Sequence, residues 1–461
     1  MRSRLFAILT FALLTTALHA QDPRIARMRD YLSASAALGR LNGSVLVAEG
    51  GTVLIDTAFG FANMELEVPN TPDTRFRVAS VTKQFTAMAV LMLAEAGKLR
   101  IGDSISRYLD SLPAEWSGIT IHQLLRHVSG ISDYEEWFDG YDTQAYSNYM
   151  AQDSSAYRIA RDARGRPLDF VPGTQFHYSN SAYILLGFII ERASGMRYED
   201  FLRDRILEPL GMAHSSQDRS LEILPGRAVG YQMRPGAYPV AWWNGASRKD
   251  WVNAHYQLML PPQGDAGLVT TARDLYAWDQ ALYTERLVKR SMLDSIFTPG
   301  LGNYGYGWFI LHGPDGVTYE HSGGLPGFTC DIMRIPDSHR TIILLTNTDR
   351  LGTTVRDLAT IMRGQPVATP TPRHLVAPDS ARNAAFAGIY RAAQGDSVEV
   401  TMNGAVLVAW WRDHFRAGMY PESARDYFVP LLAGVARFGE RNGRKELVIE
   451  DGFGKEVVRG T

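Results

Sequence analysis

The sequence has 461 residues, of which 45% are hydrophobic and 21% are charged, a composition typical of a folded chain of two or three domains. Its 47 basic and 49 acidic residues leave a net charge of −2, which excludes a strongly basic nucleic-acid binder. A single cysteine excludes an intramolecular disulfide framework, a cysteine-based zinc site and a protein-held iron–sulfur cluster. Only six of the basic residues are lysines, so a lysine within a motif is an unusual choice.

The first twenty residues have the pattern of a secretory signal peptide. Arg2 and Arg4 form a positive start, residues 5–18 are uncharged and mostly apolar, and Ala20 offers a small residue before a cleavage point. The apolar run is too short for a full membrane span, so we expect cleavage after Ala20, with an uncleaved anchor as the alternative. Export without a disulfide is compatible with a periplasmic location.

Strands at both ends of a region with helices between them predict an α+β fold, in which helices flank an antiparallel sheet. Helices are predicted at residues 25–38, 80–96, 119–127, 181–193 and 271–283. Strands are predicted at residues 43–49, 52–59, 306–310, 317–320, 329–335 and 341–346. Residues 213–265 carry few periodic signals, and we interpret them as a long irregular insertion.

The composition changes near the C-terminal end of the first domain, which we place at residues 21–363. Residues 364–372 are rich in proline and are typical of a linker, which we extend to residue 379. Beyond it, the pairs Asn403-Gly404 and Asn442-Gly443 stand between β-rich runs, a strong hairpin signal. A small all-β domain is therefore predicted at residues 380–461.

Ser80 and Lys83 form the single Ser-x-x-Lys motif of the chain. Helical residues three apart share a face, and a neutral amine beside a hydroxyl can take its proton and create a nucleophile. Apolar neighbours such as Val81 and Phe85 favour the neutral amine, because burial lowers a lysine pKa. The alternative is a serine at a helix start with an unrelated surface lysine.

Tyr178 and Asn180 flank Ser179 in an extended segment before a helix, so their side chains point the same way. A tyrosine beside a lysine ammonium loses its proton more easily and can act as a base. Asn180 can orient a substrate amide or hold Lys83. The alternative is a core tyrosine followed by an asparagine N-cap.

His321, Ser322, Gly323 and Gly324 are expected at the end of a strand. Glycine lets a substrate backbone approach closely, and exposed strand N–H groups can bind an oxyanion. His321 can supply a positive or donor group facing a carboxylate or a tetrahedral intermediate. The alternative is an ordinary polar turn.

The three motifs, in this order, resemble the serine β-lactamase/penicillin-binding superfamily. The resemblance is greatest to its branch of class C β-lactamases, D-alanyl-D-alanine carboxypeptidases, D-aminopeptidases and esterases, and it covers residues 26–362. The flanking residues that agree with it are 76–79, 124–130 and 267–271. Two departures are present: His321 stands where class C β-lactamases carry lysine, and the glutamate that class A enzymes use for deacylation has no counterpart. The resemblance implies a helical subdomain beside the sheet, and the C-terminal module resembles the lipocalin-like domains of some relatives.

The resemblance implies a role for each motif residue. Ser80 is the acylated nucleophile, and Lys83 and Tyr178 share the acid and base steps in an order left open. Asn180 positions the substrate and Lys83. The residues expected to line the opposite wall are His321, Ser322 and Gly323. The backbone N–H groups expected to form the oxyanion hole are those of Ser80 and Gly324.

Other features are ambiguous or structural. The acidic and aromatic residues 133–149 form either a solvated loop or a segment that selects an amino-bearing substrate. Cys330 is expected to be a buried inert thiol, and His127 a structural hydrogen-bonding residue. Three tryptophans of the insertion form either an apolar lid or a packed core. They are Trp242, Trp243 and Trp251.

Together these features predict an exported serine hydrolase acting through an acyl-enzyme on a peptide amide or an ester. A class C-like β-lactamase is the first alternative, and a non-catalytic peptidoglycan- or penicillin-binding protein is the second. The expected partner is a small-molecule or peptide substrate, with no nucleic acid and no membrane span after signal cleavage. No metal or organic cofactor is implied, and the oligomeric state is left open.

Overall fold

The computed structural model describes residues 22–138, 148–149, 156–219, 221–235, 237–238, 240–255, 257–349, 352–391, 397–411, 415–432, 434–452 and 454–461. The expected signal peptide lies outside these residues. The chain divides into two compact units. The first comprises the residues up to Arg29, Leu41–Gln232 and Val252–Gly364, and the second comprises Asp30–Arg40, Met233–Trp251 and Gln365–Thr461. The expected limits of signal, hydrolase domain, linker and β-module remain a prediction.

Helices and strands alternate along the described residues. The helices are α1 (Pro23–Ala37), α2 (Thr82–Glu95), α3 (Ile121–Leu125), α4 (Ala156–Ala163), α5 (Asn180–Ser194), α6 (Tyr198–Leu202), α7 (Glu208–Leu210), α8 (Val240–Asn244), α9 (Ala272–Ala281), α10 (Arg290–Ile296), α11 (Thr354–Met362) and α12 (Ser380–Ala384). The strands of the first part of the chain are β1 (Gly43–Glu49), β2 (Thr52–Phe59), β3 (Phe61–Asn63), β4 (Val68–Pro69), β5 (Phe76–Arg77), β6 (Ser216–Gln217), β7 (Tyr231–Met233), β8 (Trp251–Asn253), β9 (Leu268–Thr270), β10 (Phe309–Gly313), β11 (Gly316–Leu325), β12 (Phe328–Ile335) and β13 (Arg340–Thr346). The strands that follow are β14 (Gly388–Arg391), β15 (Ser397–Asn403), β16 (Val406–Trp411), β17 (Phe415–Pro421), β18 (Asp426–Val429), β19 (Gly434–Arg441), β20 (Arg444–Glu450) and β21 (Glu456–Gly460).

The main sheet of the first unit has six strands in the order β10-β11-β12-β13-β1-β2. All neighbouring strands are antiparallel, and Gly43 of β1 pairs with Thr346 of β13 and with Phe59 of β2. Nearly every residue of β1 and β13 is buried, as expected for central strands covered on both faces. Both α9 and α11 pack against β13.

The helical part of the first unit is built around α2 and α5, which pack against each other. Both helices are buried along almost their whole length, so neither needs a polar face. A short sheet of order β5-β9-β6 lies just before α2 in the chain. In it Phe76 pairs with Thr270, and the N–H of Val78 donates to the Leu268 carbonyl at 3.0 Å. These bonds fix the segment that leads to Ser80.

The C-terminal part of the second unit is an antiparallel sheet of eight strands, from β14 to β21 in sequence order. Arg391 and Thr461 exchange two backbone hydrogen bonds of 3.1 Å, which brings the first and last strands together and nearly closes a barrel. Helix α12 contributes Asn383, whose amide accepts a hydrogen bond from buried Tyr427. The interior side chains include Tyr390, Val400, Leu407, Met419, Phe438 and Ile449. The predicted all-β module is therefore confirmed as a barrel-like sheet with a packed interior.

Part of the expected insertion belongs to the second unit. Arg40 donates to the carbonyl oxygens of Trp242 at 3.0 Å and Trp243 at 2.6 Å. The ring of Trp243 packs edge-on against Phe428 with centroids 4.7 Å apart, and Trp242 packs against Trp251. Trp242 and Trp251 are buried. These tryptophans therefore pack in a core, which was the second of the two interpretations.

The predicted α+β fold class is confirmed, and most long elements occur where periodicity placed them. The strand expected at 306–310 begins only at Phe309, because buried Tyr306 donates its N–H to Ile296 instead of a strand neighbour. The helices that were not predicted are α4, α6, α7, α8, α10, α11 and α12. Within the part of the chain that the structure describes, no helix combines the length and apolarity that crossing a membrane requires.

Candidate active site

Ser80 lies on a 3-10 turn, Ala79–Val81, that leads directly into α2. Ala79 has a φ of 46° and is almost fully buried. This left-handed conformation is uncommon for a residue with a Cβ, and it persists only where surrounding contacts enforce it. The turn leaves Ser80 partly exposed and places Lys83 one helical turn later, with its Nζ 3.0 Å from Ser80 Oγ.

Lys83 is completely buried and touches three acceptors. Besides Ser80 Oγ, its Nζ lies 2.6 Å from Asn180 Oδ1 and 2.9 Å from the main-chain oxygen of Asp265. Burial lowers the pKa of Lys83 to about 8, and nearby carboxylates limit the shift. Those carboxylates belong to Asp265, Glu135 and Asp133. The amine can therefore become neutral near physiological pH and accept the Ser80 proton.

Tyr178 lies on the other side of Lys83, with its ring centroid 4.8 Å from Nζ. Among the residues that the structure describes, its buried hydroxyl forms no hydrogen bond of standard geometry. Burial raises the pKa of Tyr178 well above its ordinary value, although the neighbouring Ser80 hydroxyl opposes this. The expected easier proton loss beside a lysine is thus outweighed by desolvation, and Tyr178 rests as a neutral phenol.

Asn180 is the first residue of α5, but it does not cap the helix. The cap is Ser179, whose hydroxyl accepts the N–H of Ala182 at 3.2 Å, so the asparagine N-cap alternative is wrong. Instead the Asn180 amide bridges two groups: its Oδ1 faces Lys83, and its Nδ2 donates to Asp133 Oδ2 at 3.1 Å. Asn180 was expected either to orient a substrate amide or to hold Lys83, and these contacts are of the second kind.

His321 lies within β11, which continues to Leu325 instead of ending at the motif. Its Nε2 is 2.9 Å from the hydroxyl of buried Tyr304, and its Nδ1 is 2.6 Å from the Ser322 carbonyl oxygen. A carbonyl oxygen only accepts, so Nδ1 carries the proton and Nε2 accepts from Tyr304. Burial lowers the pKa of His321 to about 3. The ring is therefore neutral, and a positive charge at this position, one of its expected roles, has no support in these surroundings.

Gly323 and Gly324 bring β11 against the nucleophile turn. A Cβ on Gly323 would collide with the Val78 carbonyl oxygen and lie 3.0 Å from the Ser80 nitrogen. A Cβ on Gly324 would meet no atom within 4 Å. The two segments expected to supply the oxyanion donors therefore touch at Gly323, beside open space at Gly324.

Sequence reasoning missed three buried residues of this site. Asp133 was assigned to the acidic segment 133–149, but its side chain is buried against Asn180. Asp265 is fully buried, and its Oδ2 accepts from Tyr134 at 3.0 Å. The hydroxyl of Tyr304 donates a hydrogen bond to His321 Nε2. The only signals for Asp133 and Asp265 were their positions next to the flanks 124–130 and 267–271, and Tyr304 had no such signal.

The other acidic residues of segment 133–149 lie partly within and partly outside the described residues. Glu136 is exposed and lies 3.1 Å from His177. Asp139 and Asp142 lie outside the described residues, so the amino-group selection expected of this segment stays a prediction. Among the residues described, no group of three or more histidine, cysteine, aspartate or glutamate side chains is placed to hold a metal ion.

Two residues assigned structural roles behave as predicted. His127 is buried, and its Nδ1 accepts the backbone N–H of Ser179 at 3.0 Å. It also stacks beside Tyr178, with ring centroids 4.2 Å apart. Cys330 is buried, and burial raises the pKa of its thiol well above the ordinary value. The prediction that this thiol is buried is confirmed, and its lack of reactivity stays a prediction.

Comparison with known proteins identifies the family of the chain. A family model described as Beta-lactamase matches residues 28–365. Penicillin-binding protein 4* of Bacillus subtilis is 31% identical over 446 residues, which span 91% of this chain and 95% of that protein. The structure of a penicillin-binding protein from Bacillus halodurans is similar, with a TM-score of 0.61 at 27% identity over 72% of this chain and 98% of that one. An octameric penicillin-binding protein homologue from Pyrococcus abyssi covers 94% of this chain and 99% of its own, with a TM-score of 0.66. At 22% identity, that likeness shows the fold alone.

The family resemblance found in the sequence is thus confirmed, and the chain belongs to the Beta-lactamase family of serine hydrolases.

Proposed function

We propose that the protein is an exported hydrolase that cleaves a peptide amide or an ester through an acyl-enzyme on Ser80. The observation that carries this proposal is the 3.0 Å contact between Lys83 Nζ and Ser80 Oγ at a fully buried amine. Desolvation keeps such an amine partly neutral. Neutral Lys83 accepts the hydroxyl proton while Oγ forms a bond to the carbonyl carbon.

Lys83 and Tyr178 divide the proton transfers in this proposal. The raised pKa of Tyr178 leaves a phenol that holds its proton, so Lys83 is the base for the attack of Ser80. The leaving amine or alkoxide takes a proton from Tyr178 as its bond to the acyl carbon breaks. The protonated Lys83 then returns a proton to the Tyr178 oxygen, which restores the phenol. Water hydrolyses the acyl-enzyme in the second half of the reaction.

The edge of β11 favours a substrate with an extended, amide-containing chain. β10 pairs with β11 only between Gly316 and Glu320, so the stretch from His321 to Leu325 has no β10 partner in the described part of the chain. Unpaired strand groups bind extended peptides by adding them as a further strand.

Penicillin is expected to acylate the same serine. The relatives named above are penicillin-binding proteins, and a β-lactam carries a strained amide that Ser80 can open. His321, whose pKa is lowered by burial to about 3, stands where class C β-lactamases carry lysine, so we expect a slowly cleared acyl-enzyme instead of fast lactam turnover.

The proposal is tested by intact-protein mass spectrometry over time. The mature protein and its Ser80→Ala variant are incubated with a fluorescent penicillin and, separately, with a fluorophosphonate. Persistent, Ser80-dependent adducts support the proposal. A penicillin adduct that forms and clears quickly would favour a β-lactamase. No adduct on folded protein would favour a non-catalytic binding protein. The mass of the protein recovered from an exporting host tests cleavage after Ala20.

A further inference from the structure

We infer that Asp133 is a positioning residue for the reaction: it fixes the direction of the Asn180 amide and thereby holds Lys83 against Ser80. The inference rests on the proposed function for its catalytic consequence. It adds a buried carboxylate to a machinery that the three sequence motifs did not contain.

The Asn180 amide has only one favourable direction beside Asp133. Asp133 Oδ1 accepts the backbone N–H of Asn180 at 3.2 Å, and Oδ2 accepts the Nδ2 group at 3.1 Å. A carboxylate oxygen only accepts, so the Asn180 Oδ1 must face away from it. That oxygen lies 2.6 Å from Lys83 Nζ. A flipped amide would place its oxygen against the carboxylate and its NH₂ group against the amine.

Asp133 is itself held by the turn that follows it. It is the N-cap of the 3-10 turn Tyr134–Trp137, and its Oδ1 also accepts the Glu135 N–H. The backbone N–H of Tyr134 donates to Ser181 Oγ at 3.0 Å, which attaches the turn to α5. The hydroxyl of Tyr134 donates to Asp265 Oδ2. One short turn therefore connects the two buried carboxylates around Lys83.

The charges that face Lys83 make this arrangement measurable. The carboxylates of Asp265, Glu135 and Asp133 favour its ammonium form, while burial favours the neutral amine. The two nearby histidines, His127 and His321, have pKa values lowered by burial and are neutral. The rings of Tyr178 and Tyr183 lie 4.8 and 5.6 Å from Nζ. Burial raises the pKa of Asp133 to about 7, so its carboxylate is charged in the pH range where Lys83 titrates. Removing that charge must therefore lower the Lys83 pKa.

The variant Asp133→Asn removes this charge with little change of shape, and Asp133→Ser keeps an N-capping oxygen if the first variant does not fold. Glu136→Gln is the matched control, because it removes one exposed charge from the same turn. Labelling of Ser80 by a fluorophosphonate is followed against pH for each protein. Lysine labelled with ¹³C at Cε reports the Lys83 pKa directly, and only six lysines contribute signals.

We expect Asp133→Asn to slow the limiting labelling rate about 10- to 100-fold, as usual for a lost buried hydrogen bond to a charge. The rising limb of the pH profile and the Lys83 signal should both move to lower pH, because one carboxylate that favours the ammonium form is lost. Glu136→Gln should change neither. A slower rate with an unmoved Lys83 titration would reduce Asp133 to a purely structural role and overturn the inference. An unlabelled wild-type protein would refute the proposed function instead, while the lysine titration would still decide whether Asp133 controls Lys83.

Discussion

Gly323→Ala is expected to disable acylation by separating β11 from the nucleophile turn. The added Cβ would lie 2.7 Å from Cys330 Sγ and 3.0 Å from the Ser80 nitrogen, and it would collide with the Val78 carbonyl oxygen. Two of these three atoms are backbone atoms, so a side-chain rotation does not relieve the contact. The turn or the strand must move, and the spacing between the proposed oxyanion donors changes with it.

The magnitude follows from the donor that is displaced. Loss of one oxyanion donor lowers kcat by about 100- to 1,000-fold, and overpacking of this kind costs about 1–3 kcal/mol of stability. Gly313→Ala is the control, since it lies on the neighbouring strand β10 where a new Cβ meets nothing within 4 Å. Stopped-flow acylation and urea unfolding measure both effects. Wild-type acylation rates and stability in Gly323→Ala would refute the reasoning.

Three further predictions concern charge. Acylation should accelerate as pH rises, with a midpoint near pH 8, because the neutral amine is the base and burial lowers the pKa of Lys83 to about 8; labelling rates from pH 6 to 10 check this, and a flat profile would contradict it. Arg334→Met should destabilise the fold by about 3–5 kcal/mol in denaturant titrations. The substitution removes the positive partner of the buried Asp279 carboxylate, whose Oδ1 lies 2.7 Å from Arg334 Nε. The double variant Arg334→Met/Asp279→Asn should recover much of that loss. Equal stability of the Arg334→Met variant and the wild type would contradict this prediction. His321 should show no titration by NMR between pH 5 and 8, since burial lowers its pKa to about 3; a midpoint near 6.5 would show that its surroundings are more open than described.

Local pattern was sufficient for the parts of the fold whose residues contact near neighbours in sequence. The hairpin of β1 and β2 appears with the predicted bounds, because two short β-rich runs and the Gly50-Gly51 turn between them are local signals. The amphipathic α11 was missed, since it follows a β-rich region closely and is only nine residues long. Strand β10 was displaced by the burial of Tyr306 against Ile296, a contact that no short window of sequence contains.

The candidate site shows the same difference between contacts local in sequence and contacts between distant residues. Ser80 and Lys83 could be recognised because their contact spans a single helical turn. The buried carboxylates could not be recognised, since that of Asp133 meets Asn180 across 47 residues and that of Asp265 meets Tyr134 across 131. Sequence alone gives an aspartate in an acidic run the appearance of a solvated loop residue. Only the folded arrangement shows that it is desolvated.

The second unit has a consequence for how this protein can be divided or recombined. It is assembled from three separate stretches of chain, and Trp243 from the middle stretch packs on Phe428 from the last. Arg40 from the first stretch donates a hydrogen bond to the main-chain oxygen of Trp243. A truncation at Gly364 would therefore remove Phe428 and leave Trp243 without its aromatic neighbour. A fusion that transfers residues 365–461 alone would carry an incomplete core. The barrel is joined to the chain at several points, so it can be exchanged between proteins only together with the two earlier stretches.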